Sequence, residues 1–258
     1  DALPIFNKDI LGDNMKIIIG IVVISFVFIR VYKAKIKGYI GEKQVSKRLR
    51  KLNKRKYKVL NNVLLKTANG STQIDHVVIS IYGVFVIETK NYKGIIKGNE
   101  YDENWSQILI NKNENLRNPI KQNNGHIKAI KDLIPEIRYK KIKSIILFSK
   151  RARLNVNAVT DVTYINKVNK IIKSYKTKEY TIEEVERIFK KLEELNVNSF
   201  KERKAHVKNV KRTVKNAEKK LKKNRCPRCG GKLKKKKSKY GKFKGCKNYP
   251  NCTFKLNA

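Results

Sequence analysis

The sequence predicts an α/β protein in which helices flank a mixed sheet, with a membrane helix before this core and a small four-cysteine zinc module after it. Three observations predict it. Short apolar runs with strand character alternate with segments of helical periodicity through the middle of the chain. One charge-free run of thirteen residues, 17–29, stands near the start, and all four cysteines fall in the last 33 of the 258 residues.

Charge narrows the class of partner. The chain carries 62 Lys and Arg against 21 Asp and Glu, a formal net charge of +41. That is beyond what solubility needs and favours a polyanion, either nucleic acid or an anionic membrane surface. An AT-rich coding bias would enrich Lys, Asn and Ile, but it enriches Glu and Asp as well and leaves the excess unexplained. The cysteine-free body excludes a disulfide framework and points to metal in a reducing compartment.

Residues 1–14 are a tail from which no function is read. "IIIGIVVISFVFI" at 17–29 is flanked by Lys16 and Arg30. With Met15, Val31 and Tyr32 added and both cations able to snorkel, residues 15–32 approach the lower limit for a span. A buried core helix is the competing reading. No small-residue cleavage site follows, so the run reads as an uncleaved anchor. Arg30, Lys33, Lys35 and Lys37 follow it, which places the rest of the chain in the cytoplasm by the positive-inside rule.

"GYIGEKQVSKRLRKL" carries Val45, Leu49 and Leu52 at helical spacing and reads as a helix starting near Gly41, with Glu42 in its first turn. "YKVLNNVLL" reads as a strand, and Asn69-Gly70 as a turn. "STQIDHVVISIYGVFVIETKNYKG" then reads as a hairpin turning at Tyr82-Gly83. "NPIKQNNGHIKAIKDLI" is helical from Pro119. "KSIILFS" reads as a buried strand and "VTYIN" as a weaker one. "TIEEVERIFKKLEEL" opens with a Thr181/Glu184 capping box and closes a folded domain spanning 38–196. Residues 197–224 are a basic helical linker, either a solvated spacer or an arm that tracks a nucleic-acid backbone.

The hairpin carries the candidate chemistry. Side chains alternate along a strand, so Glu88 and Lys90 share a face of an otherwise apolar strand. Antiparallel pairing brings Asp75 to the same end of the ribbon, where the two carboxylates can converge on one Mg²⁺, an ion that prefers hard oxygen ligands and retained waters. Such a metal can polarise a phosphodiester and lower the pKa of an attacking water, while Lys90 orients that water or offsets transition-state charge. On residues alone a charged hairpin edge that guards against aggregation explains the same pattern. Glu-x-Lys triplets also begin at Glu202 and Glu218.

"GYIGEKQVSKRL", "NNVLL", "TQIDHVVISIYGVFVIETKNYKGIIKG", "NWSQ" and "NPIKQNNGHI" follow one another in the order and spacing of the nuclease-related domain, NERD, which the chain resembles from Gly38 to Leu133. That domain is similar to the PD-(D/E)xK nucleases. The resemblance implies a restriction-endonuclease-like α/β core with Asp75, Glu88 and Lys90 as its catalytic trio, Glu42 as an additional acidic position, and Gln122 as a helix residue supporting the site. His126, four residues on, stands where an aromatic is commoner. His76 and Trp105 read as structural.

Cys226, Cys229, Cys246 and Cys252 are spaced C-x2-C-x16-C-x5-C, the pattern of a closed and therefore structural Zn²⁺ site, with two disulfides as the alternative. "GKFKGCKNYPNC" resembles the zinc ribbon at the C-terminus of type IA topoisomerases. The resemblance implies binding of DNA, single strands included, by residues 225–258, with Tyr240, Lys242, Phe243 and Tyr249 as contacts; the aromatics could equally form the ribbon's own small core. The expectation is a membrane-anchored, Mg²⁺-dependent nuclease that needs no small-molecule cofactor. The alternative is a non-catalytic membrane-tethered DNA-binding protein that keeps the nuclease fold. A third reading is a scaffold whose lysines meet anionic lipid.

Overall fold

The computed structural model describes residues 36–68, 70–197, 199–238 and 241–257, together with the single residues 19, 22 and 29. The segment 15–32, expected to be a membrane anchor, therefore lies outside the described residues apart from those three. Among the described residues no helix is long and apolar enough to cross a membrane.

The first sheet has the order β1-β2-β3-β7-β9, built from Tyr57–Thr67, Gly70–Ser80, Gly83–Lys90, Lys143–Phe148 and Asp161–Tyr164. β1, β2 and β3 are antiparallel neighbours, while β3 pairs with β7 and β7 with β9 in parallel. Strand alternation divides its side chains between two cores. Val77, Val84 and Val86 pack with Ile130 of α2 (Pro119–Leu133) and with Val185 and Leu192 of α4 (Ile182–Leu195). Val78, Phe85 and Ile87 pack with Val45 and Leu49 of α1, helical over residues 36–49, and with Ile172 of α3 (Val168–Ser174). The result is a sheet covered on both faces, which suits the near-continuous apolar reading of β3 and β7.

Because Val84 and Val86 face α2, the same period of two carries Glu88 and Lys90 to the α2 side. α2 is held in register there by two buried asparagines. Asn118 caps the helix by accepting the Ile120 N–H at 2.9 Å and anchors to the carbonyls of Glu100 and Asp102. Asn123 donates to the Val86 carbonyl and to Ser144 Oγ, each at 2.8 Å.

The sequence predicts one mixed sheet, and the structure has a second before the ribbon. Its order is β6-β5-β4-β8, from Lys112–Arg117, Asn104–Leu109, Gly94–Asn99 and Ala152–Asn157. Its strands are short and polar on one face, so they lack the apolar runs that marked the first sheet. Trp105 fills the junction, stacked on Phe148 at 6.3 Å, and a Cβ on Gly98 would lie 2.2 Å from the indole. Just as β3 runs parallel to β7, β4 runs parallel to β8. The chain leaves the first sheet for the second twice, through residues 91–93 and 149–151, and returns through α2 and through residues 158–160.

Two local expectations shift. α1 already includes Gly38 and Gly41, so Glu42 is not in a first turn. Gly41 is instead a point of close approach, where a Cβ would meet Asn91 Cβ at 3.2 Å and Thr89 Cγ2 at 3.4 Å. The β2–β3 turn is Ile81-Tyr82, because Ser80 and Gly83 are already paired, and Gly83 supplies a φ of +131° that other residues avoid. The Thr181/Glu184 capping box forms.

Beyond α4, α5 (Phe200–Lys222) has no buried residue. It is fastened near its start to the β1–β2 hairpin. Arg203 donates to the Asn62 carbonyl at 3.0 Å and to its side chain at 3.1 Å, and His206 Nδ1 lies 2.8 Å from Ser71 Oγ. The terminal module is a three-stranded antiparallel sheet of β10 (Leu233–Ser238), β11 (Gly241–Cys246) and β12 (Lys255–Asn257). Arg228, between the first two cysteines, contacts both Glu103 carboxylate oxygens at 2.8 and 2.9 Å, and Lys121 of α2 reaches the same carboxylate at 2.6 Å.

Candidate active site and metal centre

The site is assembled where the β2–β3 ladder ends. His76 and Ile87 are the last paired residues, so Asp75 and Glu88 sit one step beyond them. In place of a ladder partner, the Thr89 N–H donates to Asp75 Oδ2 at 2.7 Å. On the other edge of β2 the ladder is interrupted at the same level. Asn61 pairs with His76 and Val63 with Ile74, while Asn62 between them adopts φ +55°. A non-glycine residue in this region is strained and is kept there by its surroundings, here Arg203 and Gln73.

Glu88 is the most constrained group. It is 4 % exposed, and both of its oxygens are engaged. Oε1 accepts from Lys90 Nζ at 2.7 Å and from Gln122 Nε2 at 2.8 Å, and Oε2 lies 3.2 Å from His126 Nε2. Gln122 Oε1 in turn accepts from Lys90 at 3.0 Å, and Thr72 Oγ1 holds the far nitrogen of His126 at 2.7 Å. Gln122 and His126, four apart on α2, therefore share one helix face and meet the same carboxylate.

The electrostatics follow from this packing. Burial would raise the Glu88 pKa, but the Lys90 ammonium and the His126 hydrogen bond outweigh it and hold Glu88 below the usual carboxylate value. Burial opposes the charge on Lys90, yet Glu88 beside it keeps that ammonium firmly protonated. Asp75 has no such cation of its own. Burial, then Glu88, then Glu42 push it well above the ordinary range. Burial followed by the Glu88 charge raises Glu42 as well. Three carboxylates thus crowd one lysine, an arrangement that a divalent cation would relieve.

The donor set fits such an ion only in a water-rich form. Asp75 Oδ2 is taken by Thr89, and no described group hydrogen-bonds its Oδ1. Among the described residues, the acidic groups do not bring three ligand atoms within 4.8 Å of one another; only the four cysteines do. Two carboxylates completed by waters is a coordination that suits a hard cation such as Mg²⁺ or Mn²⁺.

His76 stays outside this cluster. Its Nδ1 lies 2.7 Å from Asn61 Oδ1, and burial pushes its pKa down to about 4, so it is a neutral core residue. Trp105 is likewise a packing residue that donates to the Asn99 carbonyl. The supporting role of Asn123 and Thr72 was missed. Asn123 had a signal in its position one residue after Gln122 on a site helix; Thr72 had none.

In the terminal module the four free thiols lie within 4.8 Å of one another. Cys226 Sγ is 3.6 Å from Cys252 Sγ, and Cys229 Sγ is 3.3 Å from Cys246 Sγ. A tetrahedron of sulfurs at zinc has edges of about 3.8 Å, whereas a disulfide is about 2.05 Å. The set fits Zn²⁺. The Asn248 N–H points at Cys246 Sγ at 3.4 Å; in the metal-free set the Gly231 N–H lowers the Cys229 thiol to about 6 while burial pushes Cys246 up to about 12, so the support for Zn²⁺ is the geometry of the four sulfurs. Of the proposed nucleic-acid contacts, Tyr249 is 66 % exposed with Lys236 Nζ 5.3 Å from its ring, and Phe243 lies half-buried on β11. Tyr240 and the Lys242 side chain lie outside the described residues.

Comparison with known proteins bears on both sites. Residues 37–149 match the nuclease-related domain. The matched segment thus covers nearly all of α1, the whole first hairpin and α2, with Glu42, Asp75, Glu88, Lys90, Gln122 and His126 all inside it. Residues 223–258 match the topoisomerase DNA binding C4 zinc finger, which contains all four cysteines. Residues 166–220, covering α3, α4 and most of α5, match the PIK3AP1 C-terminal domain. An uncharacterized protein of Bacillus anthracis is 50 % identical over 101 residues, which is 39 % of this chain and 48 % of that relative. The chain thus spans about half the length of the curated relative it matches. No solved structure matches it.

Removing zinc should unfold residues 226–257 and leave the α/β body of residues 36–197 intact, since the small module's apolar core beyond its cysteines is little more than Leu233 and Phe254 while that body has three clusters of its own. Calorimetry with and without chelator checks this. Loss of the entire thermal transition would show the two to be one cooperative unit.

Proposed function

We propose that the chain is a Mg²⁺-dependent nuclease that hydrolyses phosphodiester bonds in DNA, held at the membrane by residues 15–32 and assisted by a DNA-binding zinc ribbon. The observation that carries the catalytic part is the convergence of Asp75, Glu88 and Lys90 at one strand end, backed by Gln122 and His126. The match to a nuclease-related domain supports it. The core would then be of restriction-endonuclease type.

Asp75 and Glu88 would hold the metal, with Glu42 adding negative charge behind them. Bound there, Mg²⁺ would supply Lewis-acid polarisation of the phosphoryl oxygens and a more acidic water. Glu88 is kept ionised by its partners and so is ready to act as a ligand without losing a proton. Gln122 and His126 fix its orientation, and the tight β2–β3 end fixes Asp75 against it. Lys90, protonated and 2.7 Å from Glu88, would orient the water or meet charge that develops on the phosphoryl group.

The ribbon would bind DNA through exposed Tyr249 and its lysines, by stacking and phosphate contact. Support for the anchor is the apolar run itself, thirteen charge-free residues at 17–29 between Lys16 and Arg30. The basic residues that follow it argue for a cytoplasmic site. One observation favours the rival, a DNA-binding protein that keeps the fold without cutting. Glu88 Oε1 is already capped by Lys90 and Gln122.

Asp75→Ala and Glu88→Ala should each lower Mg²⁺-dependent cleavage by about a thousandfold while changing DNA affinity by about twofold or less, because α5 and the ribbon supply most of the phosphate contacts. Lys90→Ala should reduce turnover more than metal affinity. Undiminished cutting by both carboxylate variants would remove the proposed site, and a wild-type chain that binds DNA but cuts nothing with any divalent ion would establish the rival. The anchor is tested separately: carbonate extraction should leave the chain in the membrane fraction, and release into the soluble fraction with residues 1–37 intact would rule the anchor out.

A further inference from the structure

We infer that a basic cavity beside Lys90 is a phosphate subsite, which takes a backbone phosphate of the nucleic-acid strand flanking the one to be cleaved. The choice of a nucleic-acid strand rests on the nuclease reading above; the cavity itself does not. It has a volume of about 390 Å³ and lies where the two parallel strand pairs break, between β3 and β4 on one side and β7 and β8 on the other. Lys37 at the start of α1, Lys93 and Arg151 surround it, and Lys90 and Thr89 form the wall shared with the candidate active site.

Its charge is one-sided. No carboxylate lines the cavity, and none of Lys37, Lys93 and Arg151 forms an ion pair with a described residue. By contrast, Lys121 on α2, Lys143 at the start of β7 and Arg228 of the terminal module are all paired. In the cavity wall Thr89 Oγ1, a hydroxyl donor, and Asn91 Oδ1 are both buried without a hydrogen-bond partner. Such a set suits a tetrahedral anion with several acceptor oxygens.

The walls are preorganised. The Ser149 N–H donates to the Lys90 carbonyl at 3.1 Å, Ser149 Oγ to the Tyr92 carbonyl at 3.1 Å, and the Gly94 N–H to the Arg151 carbonyl at 3.2 Å. Gln107 Nε2 holds the Lys93 carbonyl at 2.7 Å, and Asn91 Nδ2 ties the Lys37 carbonyl at 2.6 Å. The cations therefore project from a backbone that is stapled across both crossings. From Lys90 to Lys93 the backbone spans at most about 11 Å, and a strand of duplex advances about 3.4 Å per nucleotide. A phosphate held here belongs to a nucleotide within a few steps of the bond presented to Glu88 and Lys90. Seating it would fix the register of the strand across the site.

The test is a residue-resolved footprint of the full chain in metal-free buffer. Lysine acetylation and arginine-directed dicarbonyl labelling are followed by mass spectrometry with and without a saturating single strand of about ten nucleotides, a length within the usual single-strand site sizes. Labelling of Lys37, Lys93 and Arg151 should slow by roughly tenfold as phosphate oxygens occupy them, while Lys190 and Lys191 on α4 keep their rates. A strand of the same sequence with a neutral methylphosphonate backbone should leave the cavity residues unprotected. Unchanged labelling of the three when the charged strand is bound overturns the inference, and so does equal protection by the neutral strand. Because contact is read without metal or turnover, a chain that never cleaves still decides the question.

Discussion

A carboxylate as buried as Glu88 is tolerated only when its charge is met, and here it is met by three side chains from two elements. Lys90 comes from the same strand, Gln122 and His126 from α2. The local architecture answers to this one cluster. α2 must start where Asn118 starts it and lie where Asn123 pins it, or Gln122 and His126 miss the carboxylate. The β2–β3 ladder must end at the His76–Ile87 pair, or it would take up the Thr89 N–H that Asp75 now accepts. Satisfying Glu88 leaves Asp75 and Glu42 without a cation, and the imbalance at those two groups is what gives the cluster a use for a metal.

The chain as a whole has the opposite imbalance. Much of its net charge of +41 is carried around the acidic cluster, on the uncovered surface of α5, on the ribbon, and at the cavity at the strand crossings. Arg203 and His206 fasten α5 beside the hairpin that holds Asp75, and Arg228 fastens the ribbon beside the start of α2. Both contacts meet elements that shape the Glu88 cluster, so the basic surfaces border the acidic site instead of standing apart from it. A polyanion drawn to the former is brought to the latter.

Much of this was legible in the sequence for physical reasons. Period-two alternation placed Glu88 and Lys90 on one face, the Pro119 helix start put Gln122 and His126 on one helix stripe, and cysteine spacing gave the thiol tetrahedron. The second sheet was not legible, because "NWSQIL" and "KNENLR" carry no apolar alternation: β5 buries Trp105 beside the polar Gln107, and β6, with no fully buried residue, is held by pairing with β5. Nor was the basic cavity, since Lys37, Lys93 and Arg151 are far apart in sequence and join only where two strand crossings meet. Helix α1 began earlier than expected because Gly38 and Gly41, which read as helix breakers, are accommodated within it, Gly41 by close packing against β3. His126 stands in the motif where an aromatic is commoner, and the structure places it against Glu88 and Thr72.

The central claim is that Glu88 is held ionised by its partners while Asp75, lacking them, is held protonated to higher pH. Carboxyl ¹³C NMR of the metal-free chain measures both directly, with Glu88→Gln and Asp75→Asn variants assigning the signals. The account predicts that Glu88 titrates below the ordinary glutamate value and Asp75 above the ordinary aspartate value. A Glu88 that titrates at or above its ordinary value, or an Asp75 that titrates at or below its own, would contradict it.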